Sequence, residues 1–153
     1  MNKYSASSRK KLDTCDITLQ IILKEVLPDF DHTIIYGNRS QKLQMQLFQK
    51  GRAIKGDKWV IVNPLEVVTH CDGVIKKSNH NFTPSKAVDV IPYPLDWKDE
   101  KRMCFFAGHV MATARRLYKE GKIKRMIRWG GDWDSDTELK DQTFNDLAHF
   151  ELI

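Results

Sequence analysis

Two long segments with helical periodicity alternate with short β-branched runs, and this alternation constrains the fold more than any other feature of the chain. Residues 5–27 and 99–119 repeat apolar side chains at helical spacing, and Pro28 and Gly121 follow them as stop signals. A third helix is predicted at 40–49, and short strands at 32–36, 58–62, 87–91, 126–129 and 149–152. Signals for adjacent hairpins are weak, so the pattern predicts an α+β fold with a small sheet.

The chain has 153 residues, which is long enough to bury a core without disulfides or a structural metal. It contains no internal repeat, low-complexity tract or Gly/Ser linker, so we predict one domain over 1–153. No run approaches the roughly 20 apolar residues of a membrane span. The first residues also lack the apolar run of a signal peptide, which predicts synthesis in a cytoplasm without an export signal.

Charge is the first indication of a partner. The formal net charge is +5 and the isoelectric point is near 9.1. Such a balance favours a polyanionic partner, which leaves nucleic acid, an acidic lipid surface and an anionic cell-wall polymer as alternatives. The sequence shows neither the aromatic and basic motif of an RNA-binding sheet nor a helix-turn-helix, so we predict no nucleic-acid partner.

Three segments combine residue types that carry chemistry, although each is weak alone. No His-x-x-x-His pair exists, which excludes a zinc site on a single helix. The three segments are Gly37-Asn-Arg39-Ser40 with Gln44, then Ser78-x-His80 continuing to Ala87-x-Asp89, then Asp146-x-x-His149-Phe150-Glu151.

Together with Trp129-Gly-Gly-Asp-Trp133, these segments resemble the M15 family of zinc peptidases, the group of D-alanyl-D-alanine carboxypeptidases and L-alanyl-D-glutamate endopeptidases. The resemblance spans residues 30–153 in the family's order and is strongest to its single-domain phage endolysins. One departure concerns the loop before Asp89. Eight residues separate His80 from Asp89 where the family usually has six, and Ser85 occupies the usual glycine position. We expect the longer loop still to return Asp89 to the site.

The resemblance implies a zinc site at the edge of a small antiparallel sheet, packed against two to three helices as in hedgehog and D-Ala-D-Ala peptidases. His80, Asp89 and His149 would be the ligands, a donor set that leaves a fourth zinc position open. Asp146 would be the general base and acid, facing the same side as His149 on a helical turn. The remaining assignments are an oxyanion or carboxylate contact for Arg39, substrate binding for Ser40, Gln44 and Trp133, and support of an imidazole by Glu151.

The function implied is that of a monomeric phage endolysin, without a separate cell-wall-binding domain, that hydrolyses the L-Ala–D-Glu bond of the peptidoglycan stem peptide. Such an enzyme would stay in the host cytoplasm until a holin opens the membrane. Two alternatives remain. One is a D-Ala-D-Ala carboxypeptidase or dipeptidase with the same zinc site, and the other is a non-catalytic zinc-bearing binding domain like that of hedgehog proteins.

Overall fold

A computed structural model describes residues 2–153. Its helices are α1 (Ala6–Leu12), α2 (Ile17–Val26), α3 (Gln41–Gln49) and α4 (Glu100–Lys119). Its strands are β1 (His32–Tyr36), β2 (Arg52–Lys55), β3 (Lys58–Ile61), β4 (Ala87–Pro92), β5 (Ile127–Gly130) and β6 (Asp146–Leu152). Single 3-10 turns lie at Pro64–Glu66 and Asn79–Asn81. None of the helices within 2–153 combines the length and apolarity needed to cross a bilayer.

The main sheet is antiparallel and has the strand order β1-β4-β6-β5. This confirms the predicted α+β class. A separate hairpin pairs β2 with β3, and its first strand was not predicted. The two inner strands are β4 and β6, and all six residues of β4 are buried.

The segment 5–27 forms two helices, where the sequence predicted one. Asp16 interrupts it by capping α2, because its carboxylate accepts the backbone N–H of Thr18 at 2.8 Å. Short polar side chains that bond nearby backbone groups favour such breaks over a continuous helix. The loop between α1 and α2 then meets Ser85, whose N–H donates to the Thr14 carbonyl at 2.9 Å and whose carbonyl accepts from Asp16 at 2.8 Å.

The core lies between the helices and one face of the sheet. Helix α4 packs across β4, β5 and β6, α2 packs against α4, and α1 packs against β1. Phe106 of α4 contacts the ring of Phe150 in β6 at 6.2 Å between centroids. This layer leaves the β4–β6 pair to support side chains on the opposite face.

A hydrogen bond between the half-buried Tyr4 and the buried His32 joins the residues near the N-terminus to the core. The Tyr4 hydroxyl lies 2.6 Å from Nε2 of His32, whose Nδ1–H donates to the Phe30 carbonyl at 2.7 Å. Only 2% of His32 is exposed. Burial lowers the pKa of His32 to about 4, so the imidazole is neutral in the folded protein at pH 7.

The free energy of unfolding should therefore fall as the pH is lowered from 6.5 towards 4. In this range His32 binds a proton in the unfolded chain but stays neutral in the folded chain. The loss attributable to His32 between pH 7 and 4.5 is about 2–3 kcal/mol. Urea unfolding of wild type and His32→Gln at both pH values measures it as the difference in pH dependence. His109→Gln is the control, and parallel pH profiles for wild type and His32→Gln would contradict the expectation.

Candidate metal centre and its cleft

Three buried side chains from distant parts of the chain converge on one point. Nε2 of His80 lies 3.1 Å from Oδ1 of Asp89, and Nδ1 of His149 lies 3.0 Å from the same oxygen. The two ring nitrogens are 3.3 Å apart. Asp89 and His149 meet because they are direct partners in the β4–β6 register. The structure thus brings together the three residues that the sequence indicated as metal ligands.

In each imidazole, the outer nitrogen, which faces away from Asp89, already makes a hydrogen bond to the protein. His80 donates from Nδ1 to the carbonyl of Gly37 at 2.7 Å, and His149 donates from Nε2 to Glu151 at 3.0 Å. These bonds orient both rings so that the remaining nitrogens face the Asp89 carboxylate, and once deprotonated these nitrogens would offer lone pairs to a cation. This is the arrangement that orients histidines at metal sites, and the donor set suits a divalent cation such as zinc.

A charged network holds Glu151 behind His149. Arg128 donates to Glu151 from Nε at 2.8 Å, and Asn79 donates to it at 2.8 Å. Burial opposes ionisation of Glu151, but the hydrogen bonds from His149, Asn79 and Arg128 lower its pKa to about 2. Burial likewise disfavours the imidazolium of His149, yet the bonds to Asp89 and Glu151 raise its pKa to about 9.

Asp89 is the carboxylate between the two imidazoles, and only 6% of it is exposed. Although burial opposes its ionisation, the charge of His80, hydrogen bonds from both imidazoles and the Arg39 guanidinium hold the pKa of Asp89 well below its usual range. The site therefore keeps a carboxylate charge at its centre at neutral pH.

Asp146 is the first residue of strand β6, so the prediction of a helical turn around it is wrong. In a regular strand, residues three apart point to opposite faces. Here the register is irregular, because Trp129 of β5 pairs with Phe150 while the next residue, Gly130, pairs with Asp146. This bulge brings Asp146 to the cleft that His149 lines. Burial, followed by the charge of Asp89, raises the pKa of Asp146.

Arg39 enters the site from the loop after β1. Its guanidinium donates to Asp89 and lies 4.6 Å from the ring centre of Tyr36. Its backbone N–H donates to the His80 carbonyl at 2.8 Å, which ties the Arg39 loop to the ligand loop. The Nε atom of Arg39 is buried and has no acceptor within 2–153.

The centre opens into a cleft of about 770 Å³. Trp133 forms part of its wall, tilted against His149 at 5.5 Å and stacked on Phe144 at 6.2 Å between ring centroids. Trp129, by contrast, is 5% exposed and belongs to the core. The cleft also exposes lysines and Trp97, which sequence reasoning missed because they belong to no motif.

Ser40 and Gln44 do not line the cleft. Ser40 is exposed and caps α3, accepting the N–H of Leu43 at 3.2 Å. Gln44 is fully buried, and its amide donates to Thr69 Oγ1 at 3.2 Å and to the Cys71 carbonyl at 2.9 Å. Gln44 therefore supports the loop at 69–73, which forms one side of the cleft.

The lengthened connection between His80 and Asp89 is anchored along its course. The Asn38 amide donates to the Phe82 carbonyl at 2.6 Å, and Lys86 donates its N–H to Asn79 at 3.0 Å. Ser85 is fully buried, and its hydroxyl donates to the Ala87 carbonyl at 2.6 Å. Hydrogen bonds thus hold the longer loop between His80 and Asp89 in place, and Asp89 reaches the site as expected.

Comparisons with known proteins give one matching family model and a similar solved structure. A family model described as phage L-alanyl-D-glutamate peptidase matches residues 1–153. No curated protein matches the chain. Among solved structures, the chain is similar to the Serratia marcescens L-Ala D-Glu endopeptidase ChiX, with a TM-score of 0.61 and 18% identity over 98% of this chain and 89% of that one. That similarity shows a shared fold.

Gln44→Ala should destabilise the protein, because it removes two hydrogen bonds and leaves the Cys71 carbonyl without its donor. Loss of a buried hydrogen-bonding partner costs about 1–3 kcal/mol. Urea unfolding measures this loss, and Gln41→Ala is the matched control, since Gln41 is exposed and donates once to the same loop, at Gly73. Unchanged stability in Gln44→Ala with lost activity would instead favour a direct substrate contact.

Proposed function

The chain belongs to the phage L-alanyl-D-glutamate peptidase family and is a peptidoglycan peptidase, and from this premise we propose that it cleaves the L-Ala–D-Glu bond of the stem peptide as an endolysin. The single observation that carries the proposal is the buried group of His80, Asp89 and His149 at the base of an open cleft. In host lysis, the enzyme would reach the wall after a holin-type lesion opens the membrane.

We propose zinc as the metal held by His80, Asp89 and His149. The donors support this choice, because two nitrogens and one carboxylate oxygen converge while the outer nitrogens are fixed by Gly37 and Glu151. Zinc bound there would supply Lewis acidity, which polarises a carbonyl and brings the pKa of water to about 7. Three protein ligands leave a position open for substrate, as in catalytic zinc sites.

Asp146 is the proposed general base and acid. Its carboxylate lines the cleft beside the metal centre, and burial with the nearby Asp89 charge raises its pKa. A carboxylate with a raised pKa is a better proton acceptor at neutral pH than an exposed aspartate. It would take the proton of the attacking water and pass it to the amine of D-Glu as the amide bond breaks.

Arg39 is the proposed contact for negative charge on the substrate. Its planar fork suits a carboxylate or an oxyanion in a way that lysine does not. The unpartnered Nε supports this role, because a buried donor without an acceptor is costly and a substrate oxygen would satisfy it. We place Trp133 in the substrate-binding wall, whereas Ser40 caps α3 and Gln44 supports the loop at 69–73.

A second candidate activity is that of a D-Ala-D-Ala carboxypeptidase. It is favoured by one observation, namely that Lys50, Lys76 and Lys77 line the cleft and would suit a peptide ending in a free carboxylate. A binding domain without catalysis is less well supported, because the Asp146 carboxylate lines the same cleft as His80, Asp89 and His149 and would be available for proton transfer.

Digestion of purified peptidoglycan tests the proposal directly. The zinc-loaded enzyme is expected to produce new amino-terminal D-Glu and carboxyl-terminal L-Ala, identified by mass spectrometry of the fragments. His149→Ala should lose both stoichiometric zinc, measured by elemental analysis, and cleavage, since a three-ligand site cannot spare one donor. His109→Ala is the control. Release of D-Ala would support the carboxypeptidase, and tight zinc in His149→Ala would refute the ligand assignment.

Asp146→Asn should retain zinc and fold while turnover falls, because the amide keeps the size of the side chain but cannot accept the proton. General acid–base catalysis typically contributes about 10²–10⁴-fold, so a decrease of that order in kcat is expected. Asp141→Asn, an exposed change of the same charge, is the control. Near-normal kcat in Asp146→Asn would assign the proton transfer to another group.

A further inference from the structure

Three lysines on one side of the cleft have no anionic partner. Lys50, Lys76 and Lys77 are exposed and line the cleft, and no carboxylate within 2–153 lies within 4 Å of their ammonium groups. The two arginines of the cleft are engaged, Arg39 with Asp89 and Arg128 with Glu151. The lysine side of the cleft therefore carries uncompensated positive charge.

The backbone that bears Lys76 and Lys77 is held in place. Asp72 accepts the N–H of Lys76 at 2.9 Å, and Asn81 accepts the N–H of Ser78 at 2.9 Å. The Asn81 amide donates in turn to the Arg39 carbonyl at 3.0 Å. Gln44 supports the preceding residues from behind. The two lysines thus project from a fixed segment that leads, three residues after Lys77, into the metal ligand His80.

The substrate places its negative charge on one side of the bond that is cut. The nitrogen of the L-Ala–D-Glu bond is attached to the carbon of D-Glu that also bears its free α-carboxylate, because the stem continues through the γ-carboxyl. The fragment that leaves as an amine therefore carries a carboxylate next to the reacting atoms, whereas the L-Ala fragment is uncharged there. A fixed cationic segment that lines the same cleft and leads into His80 is complementary to the leaving fragment.

We infer that Lys76 and Lys77 form a subsite for the α-carboxylate of D-Glu, so that the enzyme distinguishes stems with a free carboxylate from stems in which it is amidated. The inference rests on the proposed L-Ala–D-Glu specificity. Lysine suits the role because its ammonium is a mobile point charge that needs no fixed fork geometry. The contact is made equally in the ground state and the transition state, so it acts on KM more than on kcat.

Two synthetic muropeptides test the inference, identical except that D-Glu carries either its α-carboxylate or the carboxamide. Exposed ion pairs are individually weak, so two of them should make wild type prefer the acid by about two- to thirtyfold in kcat/KM. Lys76→Gln/Lys77→Gln should bring that ratio near one by raising KM for the acid, with hydrolysis of the carboxamide unchanged. Raising the ionic strength should shrink the wild-type preference.

The matched control is Lys101→Gln/Lys124→Gln, which removes the same charge from exposed positions outside the cleft and should keep the preference. Equal cleavage of both muropeptides by wild type would overturn the inference. So would a preference that survives in Lys76→Gln/Lys77→Gln, which would assign the carboxylate to another group such as Arg39. Failure of the zinc-loaded wild type to cut either muropeptide at L-Ala–D-Glu would instead refute the proposed function.

Discussion

The pairing of Asp89 with His149 across β4 and β6 is the contact on which the rest of the site depends. Both side chains are buried, and an unpaired carboxylate at this depth would be strongly unfavourable. The β4–β6 register sets their relative position, and that register is in turn held by the core beneath the sheet. His80 completes the group from outside the sheet. A shift of the β6 register by one residue would turn His149 to the opposite face of the sheet and separate it from Asp89 and His80.

The side chains of the metal group are themselves held by hydrogen bonds from the surrounding protein. Gly37 and Glu151 hold the outer nitrogens of the two histidines, and Arg128 with Asn79 holds Glu151. A centre supported in this way is already organised before substrate arrives, which limits the rearrangement required at the moment of reaction. The same contacts join the loop after β1, the turn Asn79–Asn81 and two strands of the sheet into one rigid frame.

Sequence reasoning predicted that His80, Asp89 and His149 lie together, and it predicted most of the sheet, because the three residues belong to motifs whose order groups them. It failed where a local pattern was ambiguous. The apolar spacing of 5–27 suited one helix, yet the Asp16 cap divides it. Asp146 was placed on a helical turn because a spacing of three suits a helix, and a strand bulge cannot be read from that spacing. Lysines such as Lys76 gave no signal, since a lysine in a loop looks the same whether it faces solvent or a substrate.

The strand order carries a consequence for how the protein is made. β6 is the last of the six strands in the chain, yet it lies between β4 and β5 and provides His149. Neither neighbour can complete its hydrogen bonding until β6 has been synthesised and inserted between them. Contacts that join such distant segments form late in folding. During translation the growing chain therefore carries an incomplete sheet, and His149 cannot join His80 and Asp89 until β6 has been synthesised and paired.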